Sequence, residues 1–379
     1  MTRRERLMAT LRGEPVDRPA VCLYELNGID QDPDDPDEYN IYNDPSWREL
    51  LRMVHNRTDR IVMRPMKFSN PYRGFKARAE RGVSTQPNGD LRLEYSLALG
   101  GKTFTFADVR KKDIDTLWNV KCVFQDAGDL EHYLSTPDEW ETPIPDIGDI
   151  LEAEELLGDT GIVCVDMGDP LCEVAQYFDL PDFLVTALGE PELFHRALER
   201  SARRKLSEVK AFAAAAPGRL WRIYGPEYAT APFLPPELFD AYVVRYDKPI
   251  IDAIKRHGGY PRVHCHGNLR GVIGHIASLG CDGLDPIEPP PQGDMSLAEV
   301  RAHLGKDMVL FGNIELSEIE SLDTVTFAAR VRGALAEGCA SGSRGFVLMH
   351  TASPIGRTLS AQTTENYRTM IEIAEQHML

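Results

Sequence analysis

Residues 260–288, with the sequence YPRVHCHGNLRGVIGHIASLGCDGLDPIE, contain two short apolar segments separated by a helical pattern. The segments at 262–267 and 283–288 have the length of buried strands, and the residues between them carry apolar side chains at helical spacing. Neighbouring parallel strands need a crossover connection, which is usually a helix. The stretch therefore predicts a strand, a helix and a second strand parallel to the first.

The same alternation extends over most of the chain. Strand-sized segments are apolar along nearly their whole length, as in a sheet that is buried on both faces, and most are followed by a helical pattern. They span residues 19–25, 60–65, 161–167, 220–226, 262–267, 283–288, 308–314 and 345–350. Eight such segments, with no G-x-G-x-x-G motif after the first, favour a (β/α)8 TIM barrel over an open dinucleotide-binding sheet.

We expect residues 1–379 to form a single α/β domain with this barrel fold and a helical extension at its N-terminus. Residues 75–109 alternate polar and apolar side chains around a central Asn-Gly turn, which predicts an inserted β-hairpin or meander after the second strand. Residues 27–46 are acidic and rich in proline and turn residues, so they are expected to form a loop after the first strand.

Composition limits the class of function. The 379 residues carry a formal net charge of −17, which argues against binding to nucleic acid and against a polybasic patch that binds a membrane surface. No apolar run is long enough to cross a bilayer, and the N-terminal segment lacks the apolar core of a secretion signal. Seven cysteines without such a signal indicate reduced thiols. We expect a cytoplasmic protein that acts on a small molecule.

A polar side chain stands at the end of every predicted strand. In TIM-barrel enzymes the active site lies at the carboxyl ends of the strands, so these side chains are the candidates for a functional site. Each one alone has a simple explanation as a loop residue or a helix cap, but the set includes three histidines. In chain order they are Glu25, Arg64, Asp166 with Asp169, Glu227 with Tyr228, His264 with His266, Glu288, Asn313 and His350.

His264 and His266 are two positions apart, so they project from the same side of a strand. Such a pair can share a zinc ion, and Glu288 on the next strand, about 4.8 Å away, can reach a third coordination position. His350 is a candidate for the fourth position, which catalytic zinc otherwise leaves to water or substrate. The alternative is that the two histidines form hydrogen bonds with substrate or buried carboxylates without a metal.

Several motifs resemble the uroporphyrinogen decarboxylase superfamily. They are RRERLMATLRGEPVDRPAV, DMGDPLCEVAQYFDLPDFLVTAL, HCHGN, GCDGLDPIEP, GKDMVLFGNIE and GFVLMHTASPIG. The resemblance covers nearly the whole chain and implies a (β/α)8 barrel with decarboxylase or corrinoid-dependent methyltransferase activity. The first strand, CLYELNGIDQD, is acidic where the porphyrin-pathway decarboxylase is basic, and the second lacks its aspartate. Uroporphyrinogen, a polycarboxylate, is therefore not the expected substrate.

Methyltransferases of this superfamily bind zinc through an H-x-C pair on the fifth strand and a cysteine after the last strand, and a distant relative adds a glutamate one strand later. Here the pair is His264 and His266, Glu288 stands at a position similar to that glutamate, and the late cysteine is absent. The resemblance implies a zinc site of nitrogen and oxygen ligands, which is better suited to activating an oxygen atom than a thiol.

Our first hypothesis is a zinc-dependent methyltransferase of the demethylase type, which moves a methyl group between a small methoxylated or methylated substrate and a corrinoid protein or other carrier. No segment resembles a corrinoid-binding domain, so the carrier would be a separate protein. The zinc ligands would be His264, His266, Glu288 and His350. The candidates for acid–base catalysis are Glu227, Tyr228 and Asp166. The candidates for substrate binding are Glu25, Arg64, Asn313 and Arg357.

Two alternatives stay open. A metal-independent decarboxylase or lyase would hold a small carboxylic acid with Arg64, Arg222 or Arg357 and transfer protons through Asp166 or Tyr228. A ligand-binding barrel that has lost catalysis would explain the missing cysteine. A homodimer is also compatible with the sequence.

Overall fold

The computed structural model describes residues 1–138, 140–340 and 345–378. Eight parallel strands form a nearly closed barrel surrounded by helices, which confirms the predicted fold class. They are β1 (Ala20–Cys22), β2 (Arg60–Pro65), β3 (Gly161–Gly168), β4 (Leu220–Tyr224), β5 (Tyr260–His264), β6 (Gly283–Asp285), β7 (Val309–Ile314) and β8 (Phe346–His350). The sheet order is β1-β8-β7-β6-β5-β4-β3-β2.

The helices follow the strands as expected, and several begin at a Ser, Thr or Asp side chain that accepts a hydrogen bond from the first turn. Within the described ranges, no helix is both long and apolar enough to cross a lipid bilayer. The α-helices are Arg3–Arg12, Trp47–Arg57, Phe75–Arg78, Ala127–Ser135, Gly148–Leu157, Pro170–Ala175, Leu180–Gly189, Pro191–Ala215, Arg245–Arg256, Ile273–Leu279, Leu297–Leu304, Leu316–Ser321, Thr324–Gly338 and Ala361–Gln376.

Alternate side chains of the barrel strands fill two separate apolar layers. The outward-facing side chains pack against the helices in a large layer, and the inward-facing ones form a smaller layer inside the barrel. Leu7 and Leu11 of the first helix belong to the inner layer. This helix therefore covers the amino-terminal end of the barrel and leaves the carboxyl-terminal end, the mouth, for the functional site.

The insertion after β2 is a four-stranded antiparallel sheet that continues past the predicted end at residue 109. Its hairpin turns at Gly89, which has a φ of 87°, as the Asn-Gly pair predicts. One face carries buried aromatic side chains, including Tyr95, Phe104 and Phe106, that join the outer layer of the barrel. The strands are Glu80–Thr85, Leu91–Leu99, Lys102–Arg110 and Leu117–Lys121.

No backbone ladder joins β1 and β2, and the barrel is closed between these two strands by one residue. Asp59, directly before β2, donates its amide to the carbonyl of Val21 at 2.7 Å. Oδ2 of Asp59 accepts the amide of Val21 at 2.9 Å. A side chain thus completes the pairing that the two strands lack.

The Asp59 carboxylate is fully buried and is neutralised by two arginines. Its Oδ1 accepts a hydrogen bond from Arg6 at 2.6 Å, and its Oδ2 accepts one from Arg18 at 3.0 Å. Arg6 lies on the first helix, so the same carboxylate closes the barrel and fastens the helix that covers it. A buried charge of this kind is stable only while its partners remain.

Replacing the carboxylate should therefore be costly. We expect Asp59→Asn to lower the free energy of unfolding by about 3 kcal/mol, because it removes the carboxylate partner of Arg18 and leaves Arg6 with Asp17 alone. Urea denaturation monitored by circular dichroism measures the change. The control is Glu14→Gln, which removes a pair with Arg12 in which both side chains are about half exposed, and should change stability by less than about 1 kcal/mol. An unaltered urea midpoint in Asp59→Asn would contradict this account of closure.

Candidate active site at the barrel mouth

A buried arginine inside the barrel organises the end of β5 and β6. Arg262 is 1% exposed, and its guanidinium lies 4.8 Å from the centre of the Phe311 ring. Asp285, which is completely buried on the adjacent strand, forms an ion pair with Arg262 at 3.0 Å. The charge of Arg262 and the hydrogen bond from His264 outweigh the effect of burial and lower the pKa of Asp285.

The second oxygen of Asp285 holds His264, and we name this pair the inner dyad. Nδ1 of His264 donates to Oδ2 of Asp285 at 2.8 Å. Burial nevertheless lowers the pKa of His264, so its neutral form is favoured. The ring of Tyr24 stacks on the imidazole with centroids 5.6 Å apart and planes within 4°. The inner dyad is therefore fixed on both sides.

His266 and Glu288 form a second pair, the outer dyad. Nδ1 of His266 donates to Oε1 of Glu288 at 2.7 Å, and the amide of Gly267 donates to the other oxygen. Glu288 reaches this position because the chain turns sharply after β6, where Ile287 has a φ of 56°. Burial opposes the charged ring of His266, but the hydrogen bond and the charge of Glu288 outweigh it and raise the pKa.

The two dyads lie side by side. The rings of His264 and His266 have centroids 4.5 Å apart and are nearly perpendicular. In each ring the hydrogen bond to the carboxylate occupies Nδ1, and Nε2 has no hydrogen-bond partner within the described parts of the chain. A carboxylate that fixes one ring nitrogen orients the other for proton transfer or for binding. The side chain of His266 is 35% exposed, so its Nε2 is the one that a substrate can reach.

Arg222 brings together the polar side chains of β1, β3 and β4. Its guanidinium binds Asp166 with two hydrogen bonds, of 2.6 and 3.1 Å, and also donates to the hydroxyl of Tyr24. Glu25 approaches the same guanidinium at 3.5 Å. Two of the predicted site residues, Asp166 and Glu25, thus lie together at the mouth, and Asp166 is paired with a cation.

Sequence reasoning missed Asp285 of the inner dyad and two further residues of the mouth. Tyr24, next to Glu25, joins the inner dyad to Arg222. Glu315 is 7% exposed, and burial together with the charge of Glu288 raises its pKa to about 7. Glu315 directly follows Asn313-Ile314 at the end of β7, so the rule that selected polar residues at strand ends could have found it.

Three predicted substrate-binding residues are engaged elsewhere. Both terminal nitrogens of Arg64 contact Asp30 in the loop after β1, at 3.0 and 2.9 Å. Asn313 turns its side chain toward Arg330 of the helix Thr324–Gly338, at 3.3 Å. The guanidinium of Arg357 binds groups from distant loops, which makes it a structural brace. Its partners are Glu38, Asn40, Asn43, Lys112 and Asp113.

Glu227 and Tyr228 lie in the one-turn helix Pro226–Ala229 and face different ways. Oε2 of Glu227 accepts the amide of Gly225 at 3.0 Å, and the charge of Glu227 contributes to the raised pKa of His266. The ring of Tyr228 packs edge-on against Phe183 with centroids 5.7 Å apart. Glu227 thus belongs to the histidine site, whereas Tyr228 faces the insertion.

His350 lies behind Tyr24 and apart from the two dyads. It is completely buried between the rings of Tyr24 and Tyr367, with centroids 6.5 and 5.4 Å away. Nδ1 donates to the carbonyl of Ala352 at 2.6 Å, and burial lowers the pKa of His350 to about 4. Strand alternation explains the position, because Val347 and Met349 face the interior of the barrel and His350 faces the helices.

The predicted zinc ligands do not form a metal site as they lie. Within residues 1–138, 140–340 and 345–378, no three His, Cys, Asp or Glu side chains are grouped so as to hold a metal ion. Both oxygens of Glu288 are used by His266 and Gly267, and His350 is remote. Two imidazole nitrogens remain, whereas zinc sites in proteins use at least three protein ligands. The zinc site therefore stays a prediction from the sequence.

Comparison with solved structures supports the fold. A methyltransferase from Methanosarcina mazei has a TM-score of 0.63 at 16% sequence identity, with 99% of each chain covered. A D-psicose 3-epimerase studied with D-fructose and a GH5-4 broad specificity endoglucanase from Bacteroides salanitronis have TM-scores of 0.34. Their identities are 14% and 10%, over 64% and 63% of this chain and 85% and 79% of theirs. Only the first of these likenesses is close enough to show a shared fold.

No curated protein shows significant sequence similarity to the chain. Residues 139–376, which include β3 to β8 and both dyads, match the family described as uroporphyrinogen decarboxylase (URO-D). This match confirms the resemblance inferred from the motifs. Because it spans more than half of the chain, the protein belongs to the uroporphyrinogen decarboxylase family.

Proposed function

We propose that this protein is a methyltransferase of the demethylase type, which removes a methyl group from a small methoxylated or methylated substrate and passes it to a carrier outside the chain. The observation that supports this most is the outer dyad. It presents an imidazole at the barrel mouth with one nitrogen held by Glu288 and the other unpaired.

Removing a methyl group from an ether requires an acid. The leaving alkoxide is strongly basic, and a proton donated to the ether oxygen turns it into a neutral alcohol. His266 has a raised pKa and gives its Nε2 proton to that oxygen while the methyl carbon bonds to the nucleophile of the carrier. The carbon–oxygen bond breaks with its electrons staying on oxygen, so the products are the alcohol and the methylated carrier.

The two carboxylates of the dyads keep the two imidazoles in different states. Glu288 stabilises the charged form of His266, and the partly exposed ring can meet a substrate. Burial keeps His264 neutral, and its ring packs edge-on against His266. His264 is therefore a positioning residue that holds the acid in place.

The charge of the mouth supports a substrate that is neutral or cationic. Arg222 is the cation at its centre, and it is already bound by Asp166 and approached by Glu25. Further carboxyl groups come from Glu227, Glu288 and Glu315. An acidic substrate would meet this negative potential, and the two cationic groups described at the mouth, Arg222 and His266, each already have a carboxylate partner.

The alternative of a carboxylic-acid lyase has less support for the same reason. Its three candidate arginines are each paired, Arg64 with Asp30, Arg222 with Asp166, and Arg357 with Asp113 and four further groups. Binding a substrate carboxylate would require breaking one of these pairs.

The carrier is proposed from the family resemblance. A corrinoid bound to a separate protein would supply, when present, the nucleophile that accepts the methyl group. The residues of this chain would bind the methyl donor and protonate the leaving oxygen.

Removing the acid should abolish turnover. With a panel of methyl ethers as donors and free reduced cobalamin as acceptor, we expect His266→Ala to lower the rate of methyl transfer by about 10²–10⁴-fold. The rate is followed by absorbance of the methylated acceptor. The matched control is His303→Ala, which removes an exposed histidine on the helix Leu297–Leu304 and should leave the rate unchanged. An equal rate in His266→Ala would exclude His266 as the acid.

The pH dependence of methyl transfer should change when Glu288 is replaced. Because the reaction needs protonated His266, activity is present below the pKa of His266 and is lost as the pH rises through it. Glu288→Gln removes the charge that raises this pKa, so the falling limb of the pH–rate profile should move to lower pH. Glu299→Gln, on the surface, should leave the profile in place. A profile unchanged by Glu288→Gln would show that another group is the acid.

Metal analysis separates this mechanism from the zinc mechanism. We expect substoichiometric zinc in the purified protein and full activity after treatment with a chelator, since only two imidazole nitrogens are available. One zinc per chain that disappears in His266→Ala, together with loss of activity on chelation, would instead support the zinc ligand set inferred from the sequence.

A further inference from the structure

We propose that the cavity between the inserted sheet and the barrel binds a neutral aromatic ligand of one or two rings that carries hydroxyl or ether groups. We call it the sheet–barrel cavity, and its volume is about 860 Å³. Cavities that hold small molecules commonly have volumes of about 300–1,000 Å³. The inference rests on this cavity alone and goes beyond the proposed function.

The sheet–barrel cavity has two walls. The inserted segment forms one, with Phe75 from its short helix and Phe106, Leu117 and Asn119 from its strands. The segments that follow β3 and β4 form the other. Their contributions include Gln176, Tyr177, Phe183 and Tyr228.

Aromatic contacts join the two walls and fix their rings in place. Phe75 packs edge-on against Tyr177 and Phe124, with centroids 4.8 and 5.4 Å apart, and Tyr228 packs edge-on against Phe183. Rings that support one another in this way cannot fold inward to fill the space. They leave ring faces and edges that favour offset or perpendicular contact with another aromatic ring.

The charged groups at the walls are already paired. Asp108 is 1% exposed and lies 2.6 Å from Nζ of Lys76. Glu173 accepts hydrogen bonds from Tyr177 at 2.6 Å and from Arg204, and Lys205 lies 3.1 Å from it. Asp108 and Glu173 thus have cations, and the carboxylate of Asp179, the third at the walls, accepts the amide of Asp182 at 2.9 Å. The walls therefore do not call for a charged ligand.

Uncharged polar groups remain for recognition. Tyr228, Gln176 and Asn119 line the cavity, and Gln176 also donates to Sγ of Cys172 at 3.2 Å and is hydrogen-bonded to Tyr228. Amides and a hydroxyl can donate to an ether or hydroxyl oxygen and accept from a hydroxyl group. Aromatic walls with a few such groups are the usual composition of a site for a substituted ring.

The sheet–barrel cavity is separate from the histidine site. Tyr228 and Glu227 are neighbours in the helix Pro226–Ala229, but Tyr228 faces the cavity whereas the charge of Glu227 acts on His266. No residue of either dyad lines the cavity. A ligand held there can therefore be distinguished from one at the mouth by mutation.

The exposed edge strand Leu117–Lys121 offers a matched pair of variants. Leu117 and Asn119 line the cavity, and by strand alternation Val120 projects from the opposite face. Asn119→Trp places a large ring into the cavity, and Val120→Trp adds the same ring outside it. Both positions are exposed, so neither change alters the core.

The probe is resorcinol, an aromatic ring with two hydroxyl groups and no methyl group to transfer, titrated into the full chain and followed by calorimetry and ligand-observed NMR. We expect binding that Asn119→Trp weakens by about tenfold or more, a loss of about 1.4 kcal/mol, and that Val120→Trp and His266→Ala leave unchanged. The saturated analogue cyclohexane-1,3-diol should bind more weakly than the aromatic probe. Circular dichroism and urea denaturation verify that each variant is folded, and Leu117→Trp replaces Asn119→Trp if that variant is not.

Three results would overturn the inference. They are the absence of binding at millimolar probe, equal binding by the filled variant, and equal affinity for the saturated analogue. Loss of binding in His266→Ala with retention in Asn119→Trp would place the probe at the barrel mouth instead. Failure of methyl transfer would leave these binding results untouched, so the cavity and the proposed function are tested independently.

Discussion

A positive charge enclosed by the barrel is the constraint on which the mouth depends. Arg262 is buried beneath the site, and an unpaired guanidinium there would cost several kcal/mol, so Asp285 must remain ionised beside it. Asp285 in turn fixes one nitrogen of His264, and the His264 ring supports both Tyr24 and His266. The reactive surface is thus built outward from an ion pair that no substrate touches.

The two dyads show how similar components acquire different properties. Each combines a histidine with a carboxylate from the next strand, yet burial lowers the pKa of His264 while Glu288 raises that of His266. The difference comes from depth, since the inner pair lies inside the barrel and the outer pair at its rim. The inner dyad can therefore hold the geometry of the site while the outer dyad exchanges protons. The remaining charge of the mouth is mostly negative.

Strand periodicity carried most of what could be predicted from the sequence. The eight strands, the mouth and the proximity of His266 to Glu288 follow from apolar segments and adjacent strands. Whether Glu288 faces a metal or the imidazole depends on the turn at Ile287, which has no sequence signal. His350 was misplaced by one step of alternation, and the partners of Arg357 come from loops far away in the chain. The insertion was underestimated because its last strand, LWNVK, lacks a clear alternating pattern.

The way in which the barrel closes also sets the order of events during synthesis. Among the described strands, the only one that pairs with β1 through a backbone ladder is β8, more than 300 residues further along the chain. The first strand must therefore wait on the ribosome until nearly all of the chain has emerged. During that interval the Asp59 carboxylate and its two arginines can already hold the first helix against β2. Contacts so distant in sequence form slowly, so the closing pair of strands is the slowest part of the barrel to assemble.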